Sequence, residues 1–442
     1  MEMFRKPYPK AYDVIVCGGG PAGIAAAVSA ARLGARTALV ERYGILGGML
    51  TSGHVQPILG RAQGRTMYNE IVELLTAGHE DAPKMVTRNG AEIGINLEET
   101  KYRLLQLCVD NGVYVYLQTA VADVIKEDNR ITGVKICTPM GLQELKAKVV
   151  VDSTGDGFAA ALAGAPFEIG RPSDGKCQPV TLEFTVDNVD ESIGITAWGG
   201  SDPVTLPDGT KYSQACKDAN ARGELPENVT IVRLHRTANW GERNVNATQV
   251  NGRNTLTVEG LVESELLLRR QVQPIMEFLR KTAPGFANAR VKSSASTLGV
   301  RETRRFVGEY VISDTDVEFG ARFEDVVVHK AWFLIDIHNP AGGGQAEKRA
   351  QPATPYDIPY RSLVPLEIDG LLLSGRNISG THRAHASYRV MGVALATGQA
   401  AGIAAALSAQ EGCVPRELDY RKIQKVLADY GTELFTEDQE ES

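Results

Sequence analysis

Six residues near the start of the chain, Gly18-Gly19-Gly20-Pro21-Ala22-Gly23, satisfy the spacing G-x-G-x-x-G. Residues of these types at this spacing bring bare backbone against a pyrophosphate. Gly18 permits a tight turn, Gly20 leaves space for the phosphates, and Gly23 lets a helix pack closely on the strand before it. The free N–H groups of the helix's first turn, from Ala22 onward, then face the anion. Glu41 follows about 20 residues later, where a carboxylate accepts hydrogen bonds from the adenosine ribose and disfavours a 2′-phosphate. The chemistry implied is the binding of a dinucleotide.

That fingerprint serves NAD and FAD equally, because both carry the same adenosine diphosphate half. The stretch Arg42-Tyr43-Gly44-Ile45-Leu46-Gly47-Gly48-Met49 separates them. A second glycine-dense loop has little purpose in a plain nicotinamide site, whereas Gly47, Gly48 and Met49 could bring backbone against the ribityl chain and flavin edge of FAD. Thr154, Gly155 and Asp156 follow the apolar run Val149–Val151 and are expected to return to the first glycine loop, with Val121 nearby. The closing segment contributes Gly375, Arg376, Arg389, Met391 and Gly392. Here a second helix N-terminus would face the cofactor, and its dipole would favour the anionic reduced flavin by about 0.3–1 kcal/mol.

For proton transfer the candidates are His382 and His385, two of only seven histidines. The alternative is that they only bond backbone or flavin edge atoms. Arg301 and Arg304, with Arg305, could clamp a carboxylate, although clustered arginines also form ordinary ion pairs. Thr51, Ser52 and His54 would lie near the isoalloxazine ring. The six cysteines are scattered and form no C-x-x-C pair, so neither dithiol exchange nor a metal site is expected.

The elements that must position these residues follow from periodicity. Tyr12 to Cys17, Ala22 to Leu33 and Thr37 to Val40 read as strand, helix, strand. Tyr114 to Leu117, Ala120 to Glu127, Ile131 to Thr138 and Leu145 to Val151 read as strands, with an antiparallel excursion returning to the main sheet. After about Pro172, Thr181 to Val186, Thr230 to Leu234, Asn254 to Val258 and Trp332 to Ile337 read as strands of a separate antiparallel sheet, with an amphipathic helix over Val262 to Lys281. Pro340 to Pro359 reads as a loop. Leu371 to Ser374 then leads into an Ala-rich helix over Tyr388 to Ala409, and the acidic tail after Phe435 is expected to fray.

These motifs in this order resemble the glutathione-reductase-like flavoprotein superfamily, and more closely an FAD-dependent oxidoreductase family sharing its fold with fumarate reductase flavoproteins. The more diagnostic pieces are Leu298-Gly299-Val300-Arg301-Glu302-Thr303-Arg304-Arg305, Ile358-Pro359-Tyr360-Arg361 and Ser374-Gly375-Arg376-Asn377-Ile378-Ser379. The resemblance implies an α/β fold: a discontinuous Rossmann-like FAD-binding domain with a central parallel sheet, formed by residues 1–170 and 350–442. Residues 171–349 would be an inserted α+β substrate or cap domain with an antiparallel sheet. It also implies FAD, held covalently or noncovalently.

The expected function is hydride transfer between flavin N5 and a small organic metabolite, an anion being compatible with the arginines. The alternatives are an electron-transfer subunit acting with a partner protein, and an NAD-dependent dehydrogenase that leaves the Gly47-Gly48 loop without a ligand. A net charge of −7 with no long basic block argues against nucleic acid. No window reads as a membrane span and Met1 to Lys10 lacks a secretory apolar core, so a cytoplasmic protein is expected. Neither the electron acceptor nor the oligomeric state is legible.

Overall fold

The computed structural model describes residues 4, 7–80, 84–87, 90–199, 203–347 and 350–434. The acidic tail after Phe435 lies outside the described residues. The chain opens with β1 (Ala11–Cys17), α1 (Pro21–Arg32) and β2 (Thr37–Val40). β1 and β2 are parallel, with Cys17 opposite Val40. Pro at the first helical position presets φ for α1, and its small residues Ala22 to Ala30 are all buried.

The sheet grows by β3 (Tyr114–Tyr116), β4 (Ala120–Glu127), β5 (Arg130–Thr138), β6 (Gly141–Asp152) and β11 (Leu371–Leu373). Its order is β3-β2-β1-β6-β5-β4, with β11 also paired to β6. The long strand β6 does two jobs. Its first half pairs antiparallel with β5, which continues antiparallel to β4. Its second half, Val149 to Asp152, runs parallel to β1 on one side and to β11 on the other. The expected excursion is therefore an extension of the same sheet, and the parallel strands dominate at its centre, as in a Rossmann-like FAD-binding fold.

Beyond this sheet, β7 (Phe184–Asp187), β8 (Arg233–Arg236), β9 (Arg243–Asn246) and β10 (Arg290–Ser294) form an antiparallel sheet in the order β8-β9-β7-β10. Phe184, Val186, Leu234 and Val245 pack there with Ile275, Met276, Phe278 and Leu279 of α2 (Val258–Thr282). Two strand expectations need correction. Asn254 to Val258 is a turn leading into α2, because the Thr257 hydroxyl accepts from Gly260 N–H and caps the helix. Trp332 to Ile337 makes only isolated bridges, to Arg61 and Gln351. The regular strand lies just before it at Val326–Ala331 and pairs with Tyr356–Pro359, so the expected loop from Pro340 ends in a strand.

The expected closing helix over Tyr388 to Ala409 is α4 (Met391–Glu411); Tyr388 instead ends a separate short helix, α3 (His382–Tyr388), with Arg389 and Val390 between the two. The expectation of no membrane-length apolar segment also fails at α4, which is long and apolar enough to cross a bilayer. Its residues are instead buried within the fold. A Cβ at Gly398 would lie 2.1 Å from the Ala22 carbonyl oxygen, and one at Gly402 would lie 2.1 Å from that of Ala26. Glycine at these two positions, one helical turn apart, lets α4 press directly on α1.

Candidate active site

Four parallel strands end on the same side of the sheet, and each hands its chain into one cavity. β1 leads to Gly18, β2 to Glu41, β6 to Ser153 and β11 to Ser374; all four residues line a cavity of about 890 Å³. Open α/β sheets present their ligand crevice at the carboxyl ends of parallel strands. Gly18 has φ +96°, and a Cβ on Gly23 would sit 1.8 Å from the Gly18 carbonyl oxygen, so the loop closes only with glycines there. A Cβ on Gly20 would meet nothing nearer than Gly48 Cα at 3.9 Å, so space is kept on the cavity side. No side chain caps the N-terminus of α1.

Glu41 Oε2 accepts from Gly19 N–H at 2.6 Å, and Oε1 accepts from Tyr43 N–H at 2.8 Å. One buried carboxylate thus joins both glycine loops, while each oxygen keeps another lone pair for a ribose hydroxyl. Burial raises its pKa, opposed by these backbone donors. The arrangement fits the dinucleotide expected from the sequence.

Of the other predicted cofactor residues, Gly18, Gly20, Pro21, Ala22, Arg42, Gly48, Met49, Val121, Thr154, Gly155, Asp156, Gly375, Arg376, Arg389 and Met391 all line this cavity. Asp156 bonds Arg376 at 2.5 Å and Thr303 at 2.8 Å. Burial would raise its pKa, but Arg376 and Thr303 outweigh burial and hold it low. Gly19, Gly23 and Gly47 shape the loops; Gly47 N–H donates to Gly19 O at 2.8 Å. Gly392 differs from expectation: its N–H is spent on Leu59 O at 2.8 Å. A Cβ there would strike Gly60 O at 2.1 Å, so this glycine serves chain packing.

The predicted catalytic residues divide. Arg304 Nη1 bonds Asp156 O at 3.1 Å, and its guanidinium lies over the Phe167 ring, a scaffold position. His382 Nδ1 is 2.8 Å from Glu302 Oε1, which Arg305 also binds. His385 is fully buried with neither ring nitrogen partnered. Burial and the surrounding Arg389, Arg305 and Arg376 cations push its pKa well down, so its ring is neutral. Neither histidine lines the cavity.

Arg301 follows Val300, which lines the cavity, but is not itself part of the lining. Its Nη1 bonds Pro179 O at 2.8 Å and Thr181 Oγ1 at 2.5 Å. Burial above all, then the Arg389 and Arg233 cations, lower its pKa against the pull of Asp336 and Glu183. Arg389 lines the cavity and donates Nη2 to Asp336 Oδ2 at 3.1 Å, with His338 Nε2 3.2 Å from the same oxygen. Burial pushes the His338 pKa down to about 4, so it adds no charge at neutral pH.

Sequence reasoning missed Glu183, Gln56 and Asn244. Asn244 Nδ2 donates to His54 O at 2.8 Å and Gln56 Nε2 to Thr185 Oγ1 at 3.0 Å. Burial raises the Glu183 pKa to about 7, against the pull of His235, Arg301, Asn244 and Arg233. One signal was available: Glu183 is a lone carboxylate inside the apolar run Val180-Thr181-Leu182-Glu183-Phe184-Thr185-Val186. Of the ring-side candidates, Thr51 Oγ1 is used by Leu46 O at 2.5 Å, while Ser52 Oγ and His54 Nδ1 are buried without partners. Among the described residues, no group of three or more His, Cys, Asp or Glu is placed to hold a metal ion.

The family model described as FAD dependent oxidoreductase matches residues 13–427. The chain is 32% identical over 158 residues to a digeranylgeranylglycerophospholipid reductase of Thermoplasma volcanium, covering 33% of this chain and 39% of that protein. It spans about two fifths of the length of that relative. A thiamine thiazole synthase of Aeropyrum pernix is 31% identical over 203 residues, covering 41% of this chain and 68% of that one. A solved geranylgeranyl bacteriochlorophyll reductase-like protein of Thermoplasma acidophilum aligns with TM-score 0.45 and 15% identity, over 96% of this chain and 84% of that one.

Proposed function

The chain belongs to the FAD dependent oxidoreductase family, and from that premise we propose that it moves hydride between flavin N5 and a small anionic organic substrate. Bound FAD supplies the two-electron chemistry. The protein's own residues hold, orient and enclose. The first turn of α1 receives the pyrophosphate, and Glu41 takes the adenosine ribose. Thr154, Asp156 and Arg376 hold the middle of the cofactor, and Met49 and Met391 border its flavin end.

The observation that carries the reading is the contrast between two parts of one cavity. At one end four strand termini and a helix N-terminus build a dinucleotide cradle; elsewhere on the wall stands Arg389, with the buried Arg301 close enough to feel its charge. A carboxylate placed there is drawn by both guanidiniums, and Arg offers it a planar bidentate fork. In this reading residues 171–349 form the cap that keeps water from the reacting atoms, with α2 laying Leu261, Val262 and Leu266 along the cavity.

The test is the visible spectrum of the purified protein before and after acid precipitation, followed by anaerobic titration with carboxylic and hydroxy acids. Bleaching of the flavin band by an acid supports the reading. A flavin that only a partner protein reduces would replace it with an electron-transfer role, and failure to bind supplied FAD would refute it.

A further inference from the structure

Three acceptors with nothing to accept cluster around Thr185, and one of them, Glu183, faces Arg301, which in turn faces the cavity-lining Arg389. Glu183 Oε2, Asn244 Oδ1 and Gln56 Oε1 are all buried and unpartnered, on residues 4%, 0% and 1% exposed. They come from three segments but share one place. Glu183 immediately precedes β7, Asn244 on β9 lies opposite Thr185 of β7, and Gln56 reaches that same Thr185. Because Asn244 Nδ2 points at a carbonyl oxygen, the orientation of this amide is settled and its free atom is an acceptor. The segment that brings Gln56 here includes His54 at φ +57°, a conformation that non-glycine residues rarely adopt.

Buried acceptors are costly to leave unmade, and their clustering points to a ligand that brings donors. The charge beside them is of the other kind, since Arg301, Arg389 and Arg233 outnumber Glu183 and Asp336. A ligand matching both must be anionic at one end and carry N–H or O–H at the other.

Resting on the oxidoreductase reading above, we propose that this cluster is the substrate subsite and selects carboxylic acids that also carry a hydroxyl or amino group. The carboxylate faces Arg301 and Arg389. The hydroxyl or amine donates to Asn244 Oδ1 and Glu183 Oε2, and Glu183 is the group that takes a proton from it. Sites built around a donor reject analogues lacking it, because the buried acceptors are then left unpaired.

The test uses the flavin-loaded protein and three probes: isobutyrate, 2-hydroxyisobutyrate and 2-aminoisobutyrate. The last two have no hydrogen at the substituted carbon and isobutyrate has no hydroxyl or amine to oxidise, so binding is read from flavin spectral perturbation without turnover. One donor-bearing probe is expected to bind at least ten-fold more tightly than isobutyrate, and which one it is assigns hydroxyl or amine. Asn244→Leu and Glu183→Gln should erase the advantage while sparing isobutyrate. The groups facing Glu183 are His235 and Arg233 of β8, Asn244 of β9, and Arg301. The advantage should therefore grow as pH rises through neutrality in wild type and in His235→Asn, and stay flat in Glu183→Gln. Equal affinities in wild type, or no binding of either donor-bearing probe, overturn the proposal whatever the variants do. Absence of flavin would instead overturn the reading beneath it.

Discussion

Replacing Glu183 with Gln should change how the fold responds to pH, independently of any substrate. Burial raises this carboxyl from its usual 4.5 to about 7. The folded chain therefore holds the proton more tightly than the unfolded one. The resulting stabilisation is complete below the unfolded value and is lost as pH rises through the folded value. Each pH unit within that window costs the fold about 1.4 kcal/mol, or about 3 kcal/mol across it. Glutamine has the same shape and no such slope. Urea unfolding of the flavin-loaded protein at about pH 5 and about pH 8 reads the difference directly. Wild type should lose stability relative to Glu183→Gln between the two conditions by about 3 kcal/mol. Parallel behaviour of the two proteins would show that Glu183 does not pay for burial as a charge, and would remove its assignment as a group ionising near neutrality.

Gly23→Ala places a methyl 1.8 Å from the Gly18 carbonyl oxygen, so the first loop must open and the purified protein should lose flavin; an unchanged flavin-to-protein ratio refutes this. Gly402→Val separates α4 from α1, where the Ala26 carbonyl stands 2.1 Å from the Cβ position. Overpacking of this kind costs about 1–3 kcal/mol, read as a lower melting temperature. Arg376→Met leaves Asp156 without its cation; because both side chains are partly exposed, a loss of about 1–3 kcal/mol is expected, together with weaker FAD retention in an equilibrium dialysis measurement.

The nucleotide half of the site was legible because its chemistry is local. Gly18, Gly20, Gly23 and Glu41 lie in one strand-turn-helix-strand unit, and the turn admits few other residues. The segments around Thr154 and Arg376 were found for the same reason: each is an apolar strand running into a glycine turn. The proposed substrate end resisted because it is assembled from distant pieces. Glu183 and Asn244 meet only once β7 pairs with β9, Gln56 reaches Thr185 from 129 positions away, and no periodicity links them. His382 and His385 precede the helix whose Met391 lines the cavity, but they turn toward Glu302 and the core. Asn254 to Val258 misled: alternation suggested a strand, while the Thr257 cap started a helix.

The contact between α1 and α4 also governs the order in which the molecule can assemble. Ala22 and Ala26 receive Gly398 and Gly402 across more than 370 positions of chain, and β6 receives β11 across more than 200. Closing contacts at such separation is entropically slow, so topologies that depend on them fold late. During synthesis, the glycine loop and its helix emerge well before α4 and keep an apolar face uncovered until α4 arrives. The cradle for the pyrophosphate can form locally; the cavity cannot. Cavity formation is thus tied to the arrival of β11 and α4, and a chain truncated before α4 would present its nascent Rossmann helix as a surface prone to association.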